Sequence, residues 1–169
     1  MSNMLQLKEK RKGVEGLSKP FKEYLMEQVK PEEGDQIVYY GRPALCVPYI
    51  MVKSYEIRHL PVQQVFVPLL DESKAKMIEN VPDVGMHVTE EITDVHPKVV
   101  VLMGGLAMPD VQISAEMALE HVSRYEPKIV GACYMSEFFK AKWPDVIPFD
   151  LLVDGIIDPV YVWRKTEFE

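Results

Sequence analysis

Two cysteines, a glycine pair and one arginine are the residues of this chain best suited to chemistry: Cys46, Cys133, Gly104-Gly105 and Arg42. Cys133 ends the apolar run Ile129-Val130-Gly131-Ala132, and Ser136 just beyond it suits a helix start. A thiol at such a strand-to-helix elbow lies near unpaired backbone N–H groups, which favour the nucleophilic thiolate. The plain alternative is a small buried core residue, the usual fate of a free cysteine. Gly104 and Gly105 follow the run Val99-Val100-Val101-Leu102-Met103. A glycine pair there permits a tight turn or close approach to a ligand. It is neither a GxGxxG nor a Walker loop, so the cofactor stays unknown. Arg42, in Gly41-Arg42-Pro43, carries a forked donor that would hold an anionic group. Cys46 lies just beyond it. Beside Cys133 it would form a redox pair, share a soft metal, or serve as a resolving thiol, although two cysteines in one fold are more often unrelated. With Cys133 as nucleophile, backbone amides near Gly105 or Tyr134 would be the oxyanion donors.

The elements that must position these residues alternate along the chain. Residues 1–17 read as a flexible lead-in, and 18–169 as a single α/β domain. Ser18 is placed to cap an amphipathic helix running to about Lys30, with Phe21, Leu25, Met26 and Val29 on one face. Ile37–Tyr40 reads as a first strand, and Cys46–His59 as a helix with Cys46 near its N-cap and Pro48 in its first turn. Val62–Leu70 is a second strand, and Asp71-Glu72-Ser73 opens a short helix to about Asn80. Residues 81–97 are the least legible: Met86, His87 and Val88 suit a short strand, and Glu90–Val95 a helical turn. Val99–Met103 and Lys128–Cys133 are the third and fourth strands, separated by a helix capped by Ser114 and ending near Tyr125. Ser136 caps a short helix stopped by Pro144. Asp154-Gly155 lies between two apolar stretches and reads as the turn of a C-terminal edge hairpin, whose second arm Pro159 confines to the sheet edge, with one continuing, kinked strand as the alternative.

Continuous apolar runs suit strands buried on both faces, and the βαβ alternation predicts a mainly parallel sheet between helical layers. The expected fold is therefore a flavodoxin-like three-layer α/β sandwich with a C-terminal edge hairpin. In open α/β sheets ligands bind beyond the carboxyl ends of the strands. Arg42, Cys46, Gly104, Gly105, Cys133 and Tyr134 would gather there as a small-molecule site.

Composition narrows the alternatives. A formal net charge of −7 over 169 residues disfavours sequence-independent nucleic-acid binding and anionic membrane surfaces. No apolar run approaches the roughly 20 residues a membrane helix needs, and Met1–Gly16 has no signal-peptide pattern. Two cysteines fit a reduced cytoplasmic protein. Without CxxC, HExxH or a zinc-spaced cluster, no metal is expected. Tyr161 and Trp163, on the presumed edge arm, would bury against a second subunit of a homodimer.

Two resemblances add to this reading. Val99–Leu106, the helix after it and Ile129–Cys133 resemble the class I glutamine-amidotransferase-like superfamily. That likeness implies a flavodoxin-like sandwich with Cys133 as the nucleophile of a hydrolase or amidotransferase. The chain departs from its pattern where Met135 stands in place of the usual elbow glycine, and where no histidine follows His121. A base would come from His87, His96, Glu137 or a carboxylate near Asp150. Over nearly its whole length the chain more closely resembles a domain family of unknown function found mainly in methanogenic archaea. The features that carry this likeness are Cys46-Val47-Pro48, Gly104–Pro109, Gly131–Met135, Lys140–Trp143 and Phe149–Asp154. It implies a cytoplasmic archaeal protein and no particular reaction, and leaves open a non-catalytic assembly or regulatory module.

Overall fold

The structure is a computed structural model that describes residues 4–166. Among these residues the strands are β1 Gln36–Gly41, β2 Gln63–Pro68, β3 Lys76–Val81, β4 Gly85–Ile92, β5 Pro97–Met103, β6 Lys128–Tyr134 and β7 Leu151–Gly155. They form one seven-stranded sheet in the order β4-β3-β2-β1-β5-β6-β7. β1 runs parallel to β2 and β5, β6 parallel to β5, and β7 parallel to β6, whereas β3 and β4 are antiparallel additions beyond β2. The parallel strands alone read β2-β1-β5-β6-β7. The direction of winding reverses once, between β1 and β5.

Both faces of the sheet are covered, and strand periodicity divides the core between them. Ile37 and Tyr39 of β1, with Val99, Val101 and Met103 of β5, pack with Phe21 of α1 (Gly13–Tyr24) and Ile50 of α2 (Val47–Glu56). Val38 and Tyr40, with Val100 and Leu102, face Ala118 and Val122 of α3 (Ala115–Ser123) and Phe138 of α4 (Glu137–Lys140). Every residue of β1 is buried, as expected of a central parallel strand. Polar Gln64 is buried in β2 because its amide is used: it accepts from Tyr39 Oη at 2.7 Å and donates to the Ser54 carbonyl at 3.1 Å.

Four expectations require correction. α1 begins at Gly13 with Lys12 as N-cap, so Ser18 lies inside the helix, its hydroxyl donating back to the Val14 carbonyl. Asp71 opens only the 3-10 turn Glu72–Lys74, after which the chain becomes β3 instead of a helix. The illegible stretch contains β4, turned out of β3 through Asp83 and Gly85, both at positive φ. The edge hairpin is thus β3–β4, at the opposite side of the sheet from the one expected at the C-terminus. Asp154-Gly155 makes no turn: both residues continue β7 in register with Cys133 and Tyr134. The Asp154 carboxylate is instead used by Ser136, whose N–H and hydroxyl both donate to it at 2.9 Å. That same bond takes the Ser136 side chain away from capping α4.

Candidate functional site

The loops that follow β1, β5 and β6 meet at the carboxyl edge because these strands are neighbours in parallel register. Their contacts are closest at the glycine pair. An added Cβ on Gly104 would lie 2.6 Å from Cys133 Cβ, and one on Gly105 only 2.5 Å from Cys46 Sγ and 3.2 Å from Arg42 Cβ. The pair is thus a partition one backbone thick, with a cysteine packed against each residue. Cys46 is the N-cap residue of α2, its N–H bonded to the Arg42 carbonyl at 3.0 Å. Tyr134, at the end of β6, packs its ring on Tyr49 of α2 with centroids 4.0 Å apart.

Neither thiol is set up as a nucleophile. Cys133 is only 1% exposed. Burial pushes its thiol up to about 12, the amides of Phe138 and Glu137 pull it down, and the Asp154 carboxylate raises it further. That carboxylate lies 3.5 Å from Sγ and accepts the thiol proton. Burial likewise raises the Cys46 thiol, against opposing hydrogen bonds from the amides of Arg42 and Gly105. Thiolate is the reactive form, so iodoacetamide should modify folded Cys133 at pH 7.5 roughly a thousandfold more slowly than an ordinary thiol of pKa about 8.5. Peptide mass spectrometry resolves the two cysteines. Modification of native Cys133 at the rate seen in urea would overturn this assignment.

Arg42 is engaged, not free. Its fork donates to both oxygens of Asp110, at 2.9 and 2.6 Å, and its Nη1 lies 3.6 Å from Met108 Sδ. Arg42 leaves β1 and Asp110 belongs to the segment after β5, so the pair spans the two loops at the winding reversal. A separate open depression of about 520 Å³ lies at the other end of the sheet, lined by Pro97, Lys98, Tyr125, Glu126, Lys128 and Asp150. Position outweighs volume here, because ligands of open α/β sheets approach the carboxyl ends of the strands, at the winding reversal.

Two polar arrangements had no counterpart in the sequence reading. The Glu72 carboxylate accepts from Tyr40 Oη at 2.8 Å, Tyr125 Oη at 2.6 Å and Arg124 at 2.7 Å, and lies 2.8 Å from His121 Nε2. Burial raises its pKa, but the hydroxyls of Tyr125 and Tyr40 and the Arg124 guanidinium outweigh that and hold it below the usual carboxylate range. Both oxygens are occupied, which suits a clamp between the turn after β2 and the end of α3. The second arrangement is Lys53, 2% exposed, whose ammonium donates to the Leu17 carbonyl of α1. Its signal was present in the sequence: it lies three residues after Ile50 and four before Ile57, on the buried face of α2.

Comparison with known proteins follows the same outline. Residues 12–158 match the family described as uncharacterized proteins conserved in archaea. An uncharacterized protein of Methanocaldococcus jannaschii is 32% identical over 143 residues, 84% of this chain and 86% of that protein. One from Methanothermobacter thermautotrophicus is 33% identical over 140 residues, 79% of this chain and 86% of its own length. The crystal structure of a protein of unknown function from Methanothermobacter thermautotrophicus is similar with a TM-score of 0.81 at 30% identity, over 96% of this chain and 99% of that one.

Proposed function

This chain belongs to the family of uncharacterized proteins conserved in archaea, and from that premise we propose that it is a non-catalytic module binding a small anionic molecule at the carboxyl edge of its sheet. The strand order supports reading the fold as flavodoxin-like, with the ligand at the reversal between β1 and β5. The observation that carries the proposal is the Arg42–Asp110 pair. A carboxylate already sits on the Arg42 fork with both oxygens, as the acid group of a ligand would. Asp110 is 61% exposed on its side chain and Arg42 32%. An ion pair that open is screened by water and weak, so a ligand displaces it at little cost. Gly105 lets the second loop approach Arg42 closely. Catalysis by Cys133 is the weaker reading, because the thiol is buried and the Asp154 carboxylate beside it disfavours the thiolate.

Titration calorimetry with citrate and with inorganic phosphate tests the assignment. Asp110→Ala should tighten binding of one of these anions about three- to tenfold by freeing the fork, and Arg42→Met should abolish it. Equal affinity in Arg42→Met and wild type, or no heat with either anion in wild type and Asp110→Ala, would remove the site.

A further inference from the structure

The two edges of the sheet are built differently. β4 ends it on one side and exposes His87, Glu90 and Glu91, charged or polar groups of the kind that keep an edge from pairing with another chain. β7 ends it on the other side, and its Leu151, Leu152 and Val153 are only partly covered. From β7 the chain continues as an irregular arm, residues 156–163, with Ile156, Ile157, Val160, Tyr161, Val162 and Trp163 all exposed; Tyr161 is 76% and Trp163 89% accessible. An unguarded edge and an apolar arm therefore share one side of the molecule.

The arm does not return to its own edge. A hairpin would need a reversal at Asp154-Gly155, but Asp154 is held by Ser136 and the Gly155 carbonyl accepts from the Met135 N–H at 2.9 Å. The chain is thus directed onward at the point where it would have to fold back. We propose that the arm crosses to a second copy of this chain and adds as a strand along the free edge of that copy's β7, the exchange being reciprocal about a two-fold axis. The arm spans roughly 25 Å when extended, and the five-residue β7 roughly 17 Å. Length therefore suffices. Area does as well: each large aromatic side chain brings about 150–250 Å², and two arms together supply on the order of 1,500 Å², within the about 1,200–2,000 Å² of a stable interface. Pro159 has no N–H to offer a further strand, so the added arm ends the sheet and the assembly closes as a dimer instead of growing into a filament.

Light scattering after size exclusion, on the full chain over a range of concentrations, is the test. The expected mass is twice 19.4 kDa. Trp143 is buried in the core, so in Trp143→Phe the emission reports Trp163 alone. It should be blue-shifted and shielded from acrylamide. A chain ending at Asp158 should be monomeric with an unchanged far-ultraviolet spectrum, and Trp163→Glu should raise the dimer dissociation constant at least tenfold. A monomeric full chain overturns the proposal, whether Trp163 is then exposed or buried on its own subunit. So does a dimer that survives loss of the arm, or one whose dissociation constant Trp163→Glu leaves unchanged.

Discussion

Gly104→Ala should destabilise the fold by about 2–3 kcal/mol, as overpacking of a filled interior does. The new Cβ would meet Cys133 Cβ at 2.6 Å and Cys133 Cα at 3.0 Å. Both atoms are fixed by the β6 backbone, so no flexible side-chain end can move aside. Changing the thiol alone cannot relieve this contact, because Cys133→Ala retains the offending Cβ. Only Cys133→Gly removes it. Urea unfolding of the six proteins in these two cycles should therefore give a favourable coupling of about 1 kcal/mol or more between Gly104→Ala and Cys133→Gly, and little between Gly104→Ala and Cys133→Ala. Gly105→Ala should behave differently. Its clash is with Cys46 Sγ at 2.5 Å, so Cys46→Ala should rescue it. Additive effects of Gly104→Ala with Cys133→Gly and of Gly105→Ala with Cys46→Ala would mean that the partition between the cysteines is looser than the geometry requires.

The stability of wild type relative to Lys53→Met is expected to rise from pH 8 to pH 10.5. Burial lowers the Lys53 amine from 10.5 to about 8, with a small opposing contribution from Cys133. Between these values the unfolded chain keeps its proton and the folded chain has released it. The unfolded state then binds more protons, and stability increases with pH. Over the whole window the gain is about 3 kcal/mol. Below pH 8 both states are charged, and the folded protein bears the cost of an ammonium held by one carbonyl. Cys133 acts in the opposite sense in both proteins: its thiol, raised to about 12, withdraws stability as pH climbs from about 9 toward 12, and this cancels in the difference between wild type and variant. Unfolding free energies of the two proteins at pH 7.5 and 10 decide the matter. Parallel pH curves for wild type and variant would show that the amine titrates normally.

Elements whose residues bury both faces were legible before any coordinates. Val99–Met103 and Ile129–Cys133 read as strands because every position is apolar or small, and Ser114 announced α3 with a hydroxyl that does accept from the Met117 N–H. The β3–β4 hairpin was illegible for the converse reason. Ile78 is its one buried hydrophobic residue, so alternation was too weak to set against the helix signals of Asp71 and Ser73. Asp154-Gly155 misled because its turn chemistry is real but redirected: the carboxylate caps an elbow at Ser136, far away in sequence. The parallel pattern led to the expectation that Gly104, Gly105 and Cys133 share one sheet edge, but it left the nearness of Cys46 to Cys133 open; the packing of one cysteine against each glycine comes from the structure. The pairing of Arg42 with Asp110 was not legible, because nothing in either residue's neighbourhood points to the other. The same holds for Glu72, whose partners Tyr40, His121, Arg124 and Tyr125 come from two distant segments.

The guarded hairpin at β3–β4 also has a meaning in time. It is joined to the parallel sheet only through β2, pairs mostly with its own sequence neighbours, and keeps much of its surface in water. Such a unit opens without disturbing β1 and β5, where release of any amide requires the whole core to part. Amide protons would therefore leave the molecule in order from that edge inward. The anion site proposed at the β1–β5 reversal stands on the last part to yield, and thermal motion at the hairpin would not blur it.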